Sequence, residues 1–200
     1  MENQENRRHW GRFLIFTGIV GSIVGVFSAI SDNLPYLADD VTALEIVISY
    51  LAVMINSLPM WFILAMFVGF IFARSIKEAI LLGAIYTITA ITFYFLFGYF
   101  YMDAPIPISL KEKAVVYANW YGASVIGGFI GGAVGFLFKK TPYALLILLV
   151  GLILQLVVNG AFSWGNIVGI AQNVTFCLMI VSIAFYIVII KRRKERNMSR

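Results

Sequence analysis

The chain has 200 residues, of which 61% are hydrophobic and 12% are charged, and its mean hydropathy is +0.90. A soluble domain has about 25% charged residues, so the composition excludes a protein whose whole surface faces water. The formal net charge is +5, but the basic residues stand at the ends of apolar segments and in the C-terminal tail, which argues against a nucleic-acid partner. The composition therefore predicts an all-α integral membrane protein with a single polytopic membrane domain.

Six apolar segments are predicted to be transmembrane helices, because a crossing needs about 20 apolar residues. They are Phe13–Ser31, Leu58–Ala73, Ala79–Tyr101, Val115–Phe138, Tyr143–Asn159 and Ile167–Ile190. The charged start of the chain is typical of a signal peptide, but the first apolar segment continues without a convincing cleavage site. We therefore expect an N-terminal segment over 1–12, a six-helix bundle over 13–190 and a basic tail over 191–200.

The stretch 44–57, before the second span, has several interpretations. From Leu44 to Ala73 is 30 residues, which as one helix would be about 45 Å long and would exceed the hydrocarbon thickness of about 30 Å. Pro59 is tolerated in the first turn of a helix, and Asn56 and Ser57 are plausible caps before it. The pattern favours a separate interfacial or re-entrant helix over one long helix kinked at the proline.

The basic residues predict the topology. Thirteen of the fifteen Lys and Arg residues fall on one side of the predicted membrane, and only Lys111 and Lys113 fall on the other. Such an excess marks the cytoplasmic side, so both termini are expected in the cytoplasm. The thirteen residues are Arg7, Arg8, Arg12, Arg74, Lys77, Lys139, Lys140, Lys191, Arg192, Arg193, Lys194, Arg196 and Arg200.

The fourth span is rich in glycine and contains GASVIGGFIGGAVGFLFKK, from Gly122 to Lys140. It matches neither a dinucleotide fingerprint nor a phosphate-binding loop. Its small residues recur every four positions, a spacing that predicts close helix–helix packing and is also compatible with a sliding seam. One row is Gly127, Gly131 and Gly135, the row beside it is Ser124, Gly128 and Gly132, and the first span carries Gly21, Gly25 and Ala29.

Catalytic chemistry has little support in the sequence. The only histidine, His9, lies in the N-terminal segment, the one cysteine, Cys177, lies in an apolar run, and every carboxylate falls in a tail, a loop or a span end. Catalysis requires convergent acids, bases, nucleophiles or metal ligands. We therefore predict no catalytic residues, no metal site, no cofactor and no enzymatic activity.

Amides and aromatic residues are predicted to share one depth in the outer half of the membrane. An unsatisfied amide in hydrocarbon costs several kcal/mol, so these groups should face one another, water or a ligand. The alternatives are interhelical hydrogen bonds and an outward-facing pocket for a small neutral or amphipathic ligand. The residues are Asn56, Trp61, Asn119, Trp120, Tyr121, Gln155, Asn159, Gln172 and Asn173.

Two stretches, WFILAMFVGFIFARSIKEAILLGAIY and NWYGASVIGGFIGGAVGFLFKK, resemble a bacterial family of small multi-pass membrane proteins of unknown function. This resemblance implies a bacterial cytoplasmic membrane and no particular activity. The chain is also similar in size and predicted helix number to the substrate-binding components of energy-coupling-factor vitamin transporters. Here Gly21, Gly25 and Ala29 stand where those proteins have an alanine-rich motif that meets their partner.

Two main functional hypotheses follow. The first is a transport-related component, either a solute-binding protein or a permease subunit, that takes any ATP energy from an ATPase-containing complex, because the chain has no nucleotide motif of its own. The second is an accessory, assembly or immunity protein that docks a membrane partner through its glycine-rich helix. A scramblase or channel is third. Membrane lipid is an expected partner of the basic tail. A small-molecule ligand is expected only if the amide and aromatic residues form a pocket.

Overall fold

The computed structural model describes residues 2–34, 41–101 and 109–198. Within these ranges it describes side chains except those of residues 2–6, 101, 194 and 198. Arg200 lies outside the described ranges. All regular structure in the described ranges is helical, which confirms the predicted all-α class over them. Short 3-10 turns over Pro142–Ala144 and Ala161–Trp164 precede the last two helices. The helices are α1 Glu2–Asp32, α2 Ala43–Ile55, α3 Leu58–Phe72, α4 Ile76–Tyr101, α5 Leu110–Phe138, α6 Leu145–Asn159 and α7 Ile167–Met198.

Most of these helices have the length and apolar composition of membrane-spanning helices. Five stretches are long and apolar enough to cross a bilayer, namely those within α1, α4, α5 and α7 and the stretch Pro142–Asn159 that contains α6. The pair α2 and α3 passes the same test together and is bent by 63°, so by length and composition the described chain has five helices that could cross a membrane, or six if the bent pair is one span. These counts fit the multi-pass class that the composition predicts.

The bend between α2 and α3 has a local cause. Helix α2 begins with a capping box, in which Thr42 Oγ1 accepts from the Glu45 N–H at 3.3 Å and Glu45 Oε2 accepts from the Thr42 N–H at 2.8 Å. Helix α3 begins after Ser57, whose Oγ accepts from the Met60 N–H at 3.4 Å. Pro59 lies in its first turn, where the missing N–H has no intrahelical partner to lose. The break expected before this proline is therefore present.

Helices α1, α3, α4 and α5 form a compact group that we call the glycine-packed core. Gly25 of α1 lies so close to α4 that a Cβ atom there would be 2.6 Å from the Phe93 Cβ. A Cβ at Gly131 of α5 would likewise be 2.7 Å from the Ala65 Cβ of α3. Real side chains do not fit at such distances, so these backbones approach closely because glycine has no Cβ. Phe13, Val68, Leu82 and Tyr86 fill the remaining interior of the core.

Glycines of α5 make the tightest contacts in the core. A Cβ at Gly132 would overlap the carbonyl oxygen of Ala79 in α4, and a Cβ at Gly135 would overlap the carbonyl oxygen of Met66 in α3. A Cβ at Gly128 would be 2.6 Å from the carbonyl oxygen of Gly83. The Cβ positions of Gly128 and Gly132 thus face α4 and those of Gly131 and Gly135 face α3, while the carbonyl oxygen of Gly132 also lies against Gly69 of α3.

Helices α2, α6 and α7 form a second, looser group that we call the amide-linked group. Leu148 and Leu152 of α6 pack with Phe176 and Ile183 of α7, and Met54 of α2 joins them. This cluster reaches the glycine-packed core through Met66 of α3, Val134 of α5 and Ala144 of the turn before α6. The two groups therefore share an apolar contact toward the end where α5 turns into α6.

Candidate functional site

A cavity of about 580 Å³ lies between α6 of the amide-linked group and the glycine-packed core. Pockets that hold small molecules have volumes of about 300–1,000 Å³, so the size is sufficient for a ligand. The ends of α1 and α2, one side of α3, α4 and α5, and most of α6 form its walls. The lining residues are Asp32, Asn56, Leu58, Pro59, Trp61, Phe62, Thr87, Ile91, Tyr94, Trp120, Ala123, Ser124, Gly127, Ile147, Leu148, Val150, Gly151, Leu154, Gln155 and Val158.

Two glycines help to leave this space open. Gly127 of α5 and Gly151 of α6 both line the cavity, and neither has an atom within 4 Å of the place where a Cβ would stand. Helices α5 and α6 follow each other in the chain but contact each other little. The cavity thus lies where the second group diverges from α5, and its wall on α6 includes the exposed side chains Leu154 and Val158.

A hydrogen-bonded polar rim stands at one end of the cavity. The Asn56 side-chain amide donates to one carboxylate oxygen of Asp32 at 2.9 Å, and the Tyr94 hydroxyl donates to the other. Asp32 is the last residue of α1, Asn56 follows the last residue of α2, and Tyr94 belongs to α4. Three separate helices therefore hold one carboxylate at the cavity.

Three further aromatic side chains line the cavity besides Tyr94. Trp61 and Phe62 come from α3, and Trp120 comes from α5. The Trp61 Nε1 atom is buried and has no hydrogen-bond partner among the described residues. Trp61 therefore contributes ring carbon to the cavity surface while its N–H is shielded. Thr87, by contrast, has a partner, since its hydroxyl donates to the Ser124 carbonyl oxygen at 2.7 Å.

The amides of α6 and α7 form a network with one another. Gln155 Nε2 donates to Asn159 Oδ1 at 2.7 Å, and Asn159 Nδ2 donates to Asn173 Oδ1 at 2.8 Å and to Gln172 Oε1 at 3.3 Å. The network extends further, because Asn173 Nδ2 donates to Ser163 Oγ at 2.7 Å and Gln172 Nε2 donates to the Val53 carbonyl oxygen of α2 at 3.1 Å. Asn173 is fully buried. These bonds tie α6, α7 and α2 together, and among the predicted amides of α6 and α7 only Gln155 also lines the cavity.

The structure thus divides the predicted site residues into three sets. Asn56, Trp61, Trp120 and Gln155 line the cavity, while Asn159, Gln172 and Asn173 lie in the network beside it. Two others lie apart from the cavity lining: Asn119 is exposed, and Tyr121 shares a 3.0 Å hydrogen bond with the Thr92 hydroxyl.

Sequence reasoning missed the carboxylate at the rim. The sequence pattern places Asp32 only at the outer end of the first span, and Tyr94 in a run of interfacial aromatic residues. The available signal was the position of Asp32 at a helix C-terminus, where the helix dipole disfavours a negative charge. A carboxylate in such a place needs donors from elsewhere, and Asn56 and Tyr94 supply them.

Comparison of the chain with protein-family models, with curated proteins and with solved structures finds no match. The two resemblances noted from the sequence therefore stay predictions. What the site can bind is therefore inferred from its own residues.

Proposed function

We propose that this protein is a transport-related component of the bacterial cytoplasmic membrane that binds a small amphipathic molecule in the cavity between its two helix groups. The observation that carries the proposal is the combination of a volume of about 580 Å³, an apolar wall and a polar rim at one end. A molecule with an apolar body and a polar end matches both parts. Closely packed helices with no such space would favour a purely structural role.

The proposed orientation places the polar rim toward the outer face. At the opposite end of the core, Lys139 Nζ of α5 donates to the carbonyl oxygen of Ala73 at 2.7 Å and lies 5.9 Å from the Phe70 ring centroid. Arg74 and Lys140 follow these helix ends in the sequence. Basic residues favour the cytoplasmic side, so the rim that contains Asp32 faces outward and both termini face the cytoplasm.

The apolar wall indicates the body of the ligand. Ile91 of α4 and Leu148, Leu154 and Val158 of α6 line the cavity with aliphatic carbon, and α5 adds Ala123. Burial of apolar surface contributes about 25 cal/mol per Å², and such surface does not select a particular hydrogen-bonding pattern. An alkyl chain or a fused-ring body suits this wall, whereas a sugar would leave its hydroxyl groups unpaired.

The amide network leaves fewer polar side chains available to a ligand than the sequence suggests. Asn159, Gln172 and Asn173 hydrogen-bond to one another and to neighbouring groups, so they serve to join α6 to α7. The polar contacts left for a ligand include Asp32 and Asn56 at the rim, and Gln155 on the α6 wall. Any energy for transport would come from a partner ATPase complex.

The rival hypothesis, an accessory protein that docks a partner through its glycine-rich helix, would need another surface. Gly128 and Gly132 already face α4, and Gly131 and Gly135 already face α3. Gly127 lines the cavity instead. The glycine face is therefore occupied within the chain itself.

Photolabelling tests the proposed binding site. The protein is reconstituted in phosphatidylglycerol nanodiscs and irradiated with a trace of a neutral dodecanol derivative that carries a diazirine on its alkyl chain, and the adducts are mapped by mass spectrometry. We expect adducts on cavity residues of α5 and α6. Gly127→Leu should remove most of them, because a side chain at this position projects into the empty space.

Gly122→Leu is the matched control. Gly122 lies on the same helix, also has no atom within 4 Å of the place where a Cβ would stand, and does not line the cavity. Both changes replace a glycine by a better helix former, so they differ mainly in where the side chain points. Labelling that is confined to lipid-facing residues, or that is equal in the two variants, would overturn the proposal.

A further inference from the structure

The polar rim carries a charge that the apolar wall does not explain. Asp32 lies at the cavity, and among the described residues no cationic side chain forms an ion pair with it. Its two partners, Asn56 and Tyr94, are neutral donors. Two carboxylate oxygens offer about four acceptor positions, so two hydrogen bonds leave capacity for a further donor or a cation.

The position of Asp32 is also unfavourable for a merely structural residue. It is the last residue of α1, where the negative end of the helix dipole disfavours an anion. An asparagine could accept a hydrogen bond at the same place without that cost. A cation in the cavity would offset this unfavourable interaction, because it would interact favourably with both the carboxylate and the negative end of the helix dipole.

Aromatic rings surround the same space. Trp61, Tyr94 and Trp120 come from three helices and line the cavity together with Asp32. Cations are attracted to the faces of aromatic rings, and cages of aromatic residues recognise ammonium groups. A carboxylate and several aromatic rings in one cavity are a combination that favours an ammonium over a neutral or anionic end group.

The first turn of α5 carries two basic residues, Lys111 and Lys113. Lys113 precedes Trp120 by seven residues, which is about 10 Å along a helix. The carboxylate of Glu112 stands between the two lysines in sequence. Among the described residues, the side-chain hydrogen bonds of Asp32 come from Asn56 and Tyr94 and not from either lysine, so Asp32 supplies the charge at the rim.

We propose that the cavity selects an amphipathic cation, an apolar chain or ring body with an ammonium end group that lies against Asp32 and the neighbouring aromatic rings. This inference rests on the proposed function and names the ligand class of the same site. The ammonium group can belong to a free amphipathic amine or to the head group of a membrane lipid, since both present the same chemistry to the rim.

Competition against the neutral photolabel tests the charge preference. The competitors are dodecyltrimethylammonium and its neutral isostere, in which a tert-butyl group replaces the trimethylammonium group. Because the two have the same shape, the ratio of their competition constants, each expressed per concentration of competitor in the bilayer, reports charge selection at the site. We expect the cation to compete at least about tenfold better than the isostere, because only the cation can interact with the Asp32 carboxylate and the faces of the aromatic rings.

Asp32→Asn isolates the carboxylate. Asparagine keeps an oxygen that can accept from Asn56 or Tyr94, and it should lower competition by the cation about tenfold while leaving the isostere unchanged. Glu45→Gln is the control, because Glu45 is an exposed carboxylate outside the cavity lining and glutamine can replace it in a capping box. The control also corrects for attraction of the cation to the anionic bilayer.

The outcomes separate the two proposals. Equal competition by cation and isostere in the wild-type protein, with labelling still lost in Gly127→Leu, overturns the charge preference and leaves the binding site intact. Labelling that Gly127→Leu does not affect overturns the site itself. Lysophosphatidylcholine is the lipid arm: competition by it that depends on Asp32 assigns the ammonium to a lipid head group, and preference for dodecyltrimethylammonium alone assigns it to a free amine.

Discussion

The two helix groups of this protein are joined by different physical means. In the glycine-packed core, α3 and α4 lie against α5 with almost no side chain between them, as at Gly132 and Gly135. In the amide-linked group, α6 and α7 are joined by side-chain hydrogen bonds such as the 2.8 Å bond from Asn159 to Asn173. Backbone contact leaves no adjustable atoms, whereas a side-chain network can rearrange. The cavity lies at the boundary between these two kinds of packing.

The largest expected effect is on the core. Gly132→Ala places a Cβ on the carbonyl oxygen of Ala79, so α4 must move away from α5, and overpacking of this kind costs about 1–3 kcal/mol or more. We expect a clearly lower midpoint of thermal unfolding in detergent, or failure to purify as a monodisperse protein. Circular dichroism at increasing temperature is the measurement.

Gly127→Ala provides the comparison, because its Cβ meets no atom within 4 Å. It should match or exceed the stability of the wild-type protein, since alanine is a better helix former than glycine by about 1 kcal/mol. If the Gly132→Ala and Gly127→Ala proteins unfold at the same temperature, this result would contradict the close packing of α4 against α5 at Gly132.

The second effect is on the amide-linked group. Asn159→Ala removes the bonds to Gln155, Gln172 and Asn173 at once, and an interhelical hydrogen bond in a membrane is worth about 0.6–1.7 kcal/mol. We expect faster amide hydrogen exchange in α6 and α7 with no change in α4 and α5, measured by mass spectrometry in nanodiscs.

Asn119→Ala is the matched control for this change, because Asn119 is an exposed amide outside the network. Its exchange pattern should resemble that of the wild-type protein. Equal acceleration in all helices of the Asn159→Ala variant would contradict the division of the molecule into two groups.

The smallest expected effect concerns one bond across the core. Thr87→Val removes the 2.7 Å hydrogen bond from the Thr87 hydroxyl to the Ser124 carbonyl oxygen of α5 at nearly constant volume, which should cost about 0.5–1.5 kcal/mol. Thr89→Val is the control, because the Thr89 hydroxyl donates only to Ile85 of its own helix, at 2.8 Å. Thermal unfolding in detergent measures the stability of both variants. A larger loss of stability in the Thr89→Val control would contradict the claim that the bond between Thr87 and Ser124 stabilises the core.

Much of the fold follows from local patterns. Apolar length predicts the helices, and a proline with preceding caps predicts the break between α2 and α3, because both depend on residues close together in the chain. The spacing of four among the glycines identifies a smooth helix face. It does not identify which neighbour each row meets, so Gly127 and Gly128 are equivalent in the sequence although one lines the cavity and the other faces α4.

The candidate site was less predictable, because its contacts join residues far apart in the chain. The amides were expected to need partners, but sequence position does not decide between a ligand and another amide. Asn159 and Asn173 are 14 residues apart and bond to each other, whereas Asn56 bonds to Asp32 of another helix. The choice depends on helix rotation, which side-chain packing sets.

The most direct test of the central claim is to fill the cavity from its other wall. Gly151 lies on α6, in the amide-linked group, and has no atom within 4 Å of its Cβ position. If one cavity lies between the two groups, Gly151→Leu should abolish photolabelling by the dodecanol derivative as fully as Gly127→Leu does from α5. Persistent labelling of α5 in the Gly151→Leu protein would contradict a shared site between the two helix groups.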